Sequence, residues 1–184
     1  MIDIFKDRSL MDQNIKVILI NSIVKKKEGS DVNGVFREAL SAFWTAFEDS
    51  CTIGEDERIP VLSHAYQAPE WEAIARILVK GYDQLQFFPV KLNKAFLVAT
   101  MFGEHSVSQE ILLESFLAYL SNDERNLVKH ALIDSLDSDQ QDEWIDFLDR
   151  FGCKRIPTQS ECRDIIMEIA HKERIQTSKY VIDY

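Results

Sequence analysis

Glu28-Gly29-Ser30-Asp31-Val32-Asn33-Gly34-Val35-Phe36-Arg37-Glu38-Ala39-Leu40 is the stretch on which the reading of this chain turns. It joins two segments of different period. Upstream, Ile15-Lys16-Val17-Ile18-Leu19-Ile20 is mostly β-branched, which predicts a strand. The polar run from Lys25 to Asp31 ends it. Downstream, Phe36, Ala39, Leu40, Phe43, Trp44 and Phe47 recur at i, i+3, i+4, i+7, i+8 and i+11, a continuous apolar stripe that predicts a helix over 35–49. Asp31 or Asn33 is expected to cap its start, because a short polar side chain accepts from the first free N–H groups.

Further along the chain, helical spacing dominates. Residues 51–60 hold a glycine, a proline and a run of charges, and read as a loop. Pro69 suits a first helical position. The helix it opens, 70–80, places Trp71, Ile74, Ile77 and Leu78 on one face, with Gly81 as its stop. Pro89 breaks the aromatic segment 82–92, and 92–102 reads as a helix ended by Gly103. Ser106 with Gln109, Ser121 with Glu124, and Thr158 with Glu161 have the spacing of capping boxes. They open helices over 109–120, 122–136 and 159–172, the last burying Ile165, Ile166 and Ile169. Between the last two, Asp134 to Asp149 carries seven acids and no base, yet Trp144, Phe147, Leu148 and Phe151 keep helical spacing. Its acids read as a solvated helix face rather than a calcium loop, since the glycine-centred EF-hand pattern is missing. The tail over 177–184 is weakly β-like. The expected fold class is mainly α with a few short strands near the start and end (α+β), in a single unit over 1–184.

Charge and composition exclude several function classes. The 184 residues carry 31 acids and 21 bases, a net charge of −10. Phosphate neutralisation needs clustered Lys and Arg, so nucleic acid is not an expected partner, and neither is an anionic membrane surface. No apolar run approaches the roughly 18 residues of a membrane span. Asp3 and Asp7 sit where a signal peptide needs a basic end and an apolar run. Cys51, Cys153 and Cys162 are odd in number and lack CxxC spacing, which points to a reduced intracellular compartment, cytoplasmic or nuclear.

Chemical constellations are sparse. His64, His105, His130 and His171 are scattered, with no metal-binding spacing, so no metal and no cofactor is expected. A nucleophile elbow and a phosphate-cradling glycine loop are missing as well. Cys153 precedes Lys154 and Arg155, cations that favour a thiolate. Cys162 falls in a first helical turn, where the helix dipole favours the same form. Buried structural thiols are the simpler reading of all three cysteines.

The opening stretch is more specific than any of these. It resembles the start of the catalytic domain of HECT-type ubiquitin ligases, where a strand runs into E-G-x-D-x-G-G and then a helix bearing an R-E pair. Glu28, Gly29, Asp31, Gly34, Arg37 and Glu38 match. Asn33 replaces the first glycine of the pair, and Asn tolerates positive φ best after Gly. Trp71 to Gly81 is similar to the family's G-R-I-x-G-K-A helix, with Ala75 and Val79 in place of glycines and Gly81 in place of the alanine. Phe88-Pro89-Val90-Lys91-Leu92, Ala95-Phe96 and Met101-Phe102-Gly103 resemble the steps that follow. Ile156 to Glu161 resembles the V-T-x-x-N stretch that opens a later helix. The resemblance covers about residues 10–175.

It implies an incomplete HECT-like amino-terminal lobe, the part that binds a charged ubiquitin-conjugating enzyme (E2). The family's thioester cysteine lies in a T-C-F type motif of a separate carboxy-terminal lobe, and these 184 residues contain no such motif. No catalytic, cofactor or metal residue is therefore carried over. Glu28, Asp31, Gly34, Arg37 and Glu38 carry over only as structural markers. The expected function is that of a HECT-like ubiquitin ligase fragment, non-catalytic alone, with an E2 or another protein as partner. The alternative is a helical interaction scaffold without a ubiquitin role, binding through the acidic helix around Trp144. A cysteine enzyme using Cys153 stands third.

Overall fold

A computed structural model describes residues 1–17, 32–62, 65–89, 91–133 and 136–183. It is mainly helical, with one two-stranded sheet of β1 (Thr52–Ile53) and β2 (Ile59–Pro60). The loop expected over 51–60 thus contains a short hairpin. The chain divides into two units, one of residues 1–52 and 62–90 and one of residues 53–61 and 91–183.

The first unit is built on α2 (Val32–Cys51) and α3 (Ala68–Leu85), with α1 (Ile2–Phe5) and a 3-10 turn at Arg8–Asp12 packed on α3. The apolar stripe of α2 is the core. Phe36, Leu40, Trp44 and Phe47 are buried, each worth about 1.5–3 kcal/mol on leaving water. Trp44 and Phe47 meet edge to face at 5.5 Å, and Phe47 meets Trp71 of α3 in the same way at 6.2 Å. The helix expected over 35–49 spans 32–51, so Asn33 lies inside it and does not cap it; Asp31 lies outside the described residues.

Gly81 does not stop α3. A Cβ at Gly81 would stand 3.1 Å from Leu40 Cδ1, so the missing side chain lets α2 and α3 approach. The helix instead continues to Leu85 and ends on Gln86 in the left-handed region at φ 52°. Its start is Gln67, joined to Glu70 in a reciprocal box, with Pro69 in the first turn. Of the expected strand over 15–20, the described residues 15–17 join no sheet. The Gln84 side-chain amide satisfies Ile15 instead, accepting from its N–H at 3.1 Å and donating to its carbonyl at 2.8 Å.

The second unit comprises α4 (Lys94–Phe102), α5 (Gln109–Tyr119), α6 (Asn122–Ile133), α7 (Ser138–Arg150), α8 (Cys162–His171) and α9 (Lys179–Ile182). Buried Asn93 organises its first half. Nδ2 donates to Glu57 at 2.9 Å and to the Ser115 carbonyl at 3.0 Å, and Oδ1 caps α4 through the Phe96 N–H. The Ser115 hydroxyl returns a bond, accepting from the Ala95 N–H at 3.0 Å. Ser108, not Ser106, caps α5; the Ser106 hydroxyl donates back to the Phe102 carbonyl. The boxes at Ser121–Glu124 and Thr158–Glu161 are formed. Helix α6 is described as far as Ile133; residues 134 and 135 of the helix expected to 136 lie outside the described residues. The β-like reading of the tail is overturned: Lys172–Gln176 form a π-helical turn and α9 follows.

Candidate functional site

The motif-bearing segments of the first unit meet through α2 and α3. Arg37, from the R-E pair, reaches across to the last carbonyl of α3 and donates to Leu85 O at 2.9 Å. One turn later, Leu40 packs against Gly81, the closing residue of the second motif. Arg76, in the middle of that motif, donates to the Phe5 carbonyl at 3.0 Å and pairs with Glu72. Glu28, Gly29 and Asp31 lie outside the described residues. Ala75 and Val79 are exposed on α3.

The three cysteines are free and placed apart in character. Cys51 is buried at the end of α2, 3.2 Å from the Ser50 hydroxyl. The Tyr66 hydroxyl is hydrogen-bonded to it, and that bond, with burial, pushes the phenol up to about 12. Cys162 is also buried. Desolvation, helped by the neighbouring Glu161 carboxylate, raises its thiol above the ordinary value. Burial and the raised thiol accord with the reading of Cys162 as a structural thiol rather than a thiolate favoured by the helix dipole. Cys153 is half-buried after the left-handed Gly152, with its Sγ 3.5 Å from the Arg155 carbonyl.

Two polar features were not visible as sequence patterns. Arg174 is fully buried in the π-helical turn, its guanidinium 3.4 Å above the Tyr119 ring centroid. Its Nε, Nη1 and Nη2 have no hydrogen-bond partner among the described residues, and burial lowers its pKa. The second is an acidic cleft of about 540 Å³ between α6 and α7. Leu127 and Phe147 line it among charged groups that include Asp123, Glu143 and Asp146. Trp144, by contrast, is buried, so α7 presents Asp142, Glu143, Asp146 and Asp149, and not its tryptophan, to solvent.

Among the described residues no group of three or more His, Cys, Asp or Glu is arranged to hold a metal ion. None of the described helices is long and apolar enough to cross a membrane. His105, His130 and His171 stand on different elements, and His64 lies outside the described residues. Comparison with protein-family models, with curated proteins and with solved structures finds no match to this chain.

Proposed function

We propose that this chain is a HECT-like amino-terminal lobe, or a large part of one, that binds a ubiquitin-conjugating enzyme in an intracellular, reducing compartment. The observation that carries the reading is the join of the two motif segments. Arg37 caps the helix that holds the second motif, and Leu40 packs on Gly81 in that helix. The described part of the first segment, through Arg37 and Leu40, packs on the second, which supports the reading. No thioester step is assigned, because two of the three thiols are buried and the family's T-C-F motif does not occur in these residues.

Titration against a panel of conjugating enzymes, free and ubiquitin-charged, tests the proposal. Saturable binding of at least one, weakened in a variant that disrupts the α2–α3 join, is the expected result. A panel with no interacting member sinks it. An interaction scaffold without a ubiquitin role is the second reading, favoured by the acidic cleft on the α6–α7 pair.

A further inference from the structure

Helices α6 and α7 form an antiparallel pair closed at both ends by polar links. At one end Glu124 pairs with Arg150. At the other, His130 Nδ1 and Gln140 Nε2 approach to 3.2 Å. Between these links lies the cleft of about 540 Å³, within the range of small-ligand sites. Its floor is apolar: Leu127 and Phe147 reach it from the two helices and are otherwise buried.

The rim is mostly acidic. Asp123, Glu143 and Asp146 line the cleft, are exposed, and have no ion-pair partner among the described residues. The lone lining arginine is already engaged by Glu124. The surroundings repeat the bias, with nine acids against three bases over residues 122–150. A cleft with apolar floor and unneutralised carboxylate rim matches a long cationic side chain. Its methylene stem covers the floor while its charged head meets the rim. An anion or a nucleic acid is repelled by the same rim.

We infer that the α6–α7 cleft is a docking site for a Lys- or Arg-rich segment of a partner polypeptide. The inference is independent of the ubiquitin reading, because its surface shares no residue with the Arg37–Leu85 join and its probe contains no conjugating enzyme.

The test uses a fluorescein-labelled octapeptide of alternating Lys and Leu, titrated with the full chain by anisotropy. The comparison is between two variants of equal net charge. Glu143→Lys/Asp146→Lys changes the rim, and Asp12→Lys/Asp49→Lys changes exposed acids of the other unit. The expected result is a loss of affinity of about tenfold or more for the rim variant and of less than about threefold for the control. Amide NMR of the unmodified chain is the second measurement, with shifts centred on Leu127 and Phe147. Equal losses in the two variants would mean that only overall charge is read. That outcome, no binding, or shifts centred elsewhere each overturns the inference.

Discussion

Arg37 Nη2 donates to the Leu85 carbonyl oxygen at 2.9 Å, across 48 residues of sequence. The acceptor belongs to the last turn of α3, where carbonyls have no partner within the helix and carry the negative end of its dipole. A guanidinium placed there satisfies an orphan group and matches the dipole. The contact fixes the end of α3 against the second turn of α2.

Arg37→Met is therefore expected to destabilise the first unit by about 1 kcal/mol, the net worth of one such bond. Arg37→Lys is expected to recover part of that loss. Urea denaturation followed by tryptophan fluorescence reads the effect, since Trp44 and Trp71 both lie in this unit's core. An unchanged midpoint in Arg37→Met would mean the contact is idle.

Asn93 makes a stronger prediction. It is fully buried, and its amide serves Glu57, the Ser115 carbonyl and the Phe96 N–H at once. Asn93→Ala leaves buried groups of several elements unsatisfied, which costs about 3 kcal/mol. Ser115→Ala removes one acceptor of the same network and is expected to cost about 1–2 kcal/mol. The double variant should lose less than the two single losses combined, because both act on one network. Full additivity in a double-mutant cycle would show that they act separately.

Arg174 is expected to behave in the opposite way. Among the described residues its three nitrogens are buried without hydrogen-bond partners, and the carboxylate within ion-pair reach, Glu173, stands 3.9 Å away. Stacking on Tyr119 returns part of the desolvation cost, on the order of 2 kcal/mol for a buried cation over a ring. Replacing an inadequately paired buried charge by an apolar side chain of similar length is commonly neutral or stabilising. Arg174→Met should leave stability within about 1 kcal/mol of the parent, or raise it. A loss of more than about 2 kcal/mol would show that the guanidinium has partners beyond the ring.

The Thr158–Glu161 box makes stability depend on acid. Thr158 hydrogen bonds hold the Glu161 carboxyl below its ordinary 4.5. A carboxylate so lowered contributes stability that is complete above the ordinary value and is lost as pH falls through the folded value. Glu161→Gln is expected to flatten this part of the acid limb while retaining most stability near neutrality. The urea midpoint, followed from pH 7 downward in both proteins, reads it. Parallel acid limbs would rule out the box as their source.

What the sequence made legible was the part that repeats locally. The stripe from Phe36 to Phe47 and the pairs Ser121–Glu124 and Thr158–Glu161 are relations within a few residues, and each is present. Gly81 reads locally as a helix stop, but its role is set by Leu40, far away in sequence. The strands at 52–53 and 59–60 are two residues each, too short to show alternation. Arg174 carries no pattern at all, since a buried arginine is spelled like an exposed one. The acid count over 134–149 was plain, but the cleft needed the antiparallel return of α7 along α6. Glu28, Gly29 and Asp31, which carry much of the family resemblance, lie outside the described residues.

The cysteines close the argument about chemistry. Reaction with an alkylating reagent requires both access and thiolate. Cys162 is 4% exposed with its thiol raised by burial, and Cys51 is 6% exposed beneath Tyr66 and Ser50. Cys153 is half-buried and nearest to solvent. Iodoacetamide on the native protein should therefore add one label quickly, at Cys153, with the other two appearing only on the timescale of unfolding. Incubation with activating enzyme, a conjugating enzyme and ubiquitin should give no reducible adduct on any of them. Fast labelling at Cys162 would contradict its burial. A reducible adduct lost in Cys153→Ala would instead make this chain a cysteine enzyme in its own right, and the binding-only reading would have to be given up.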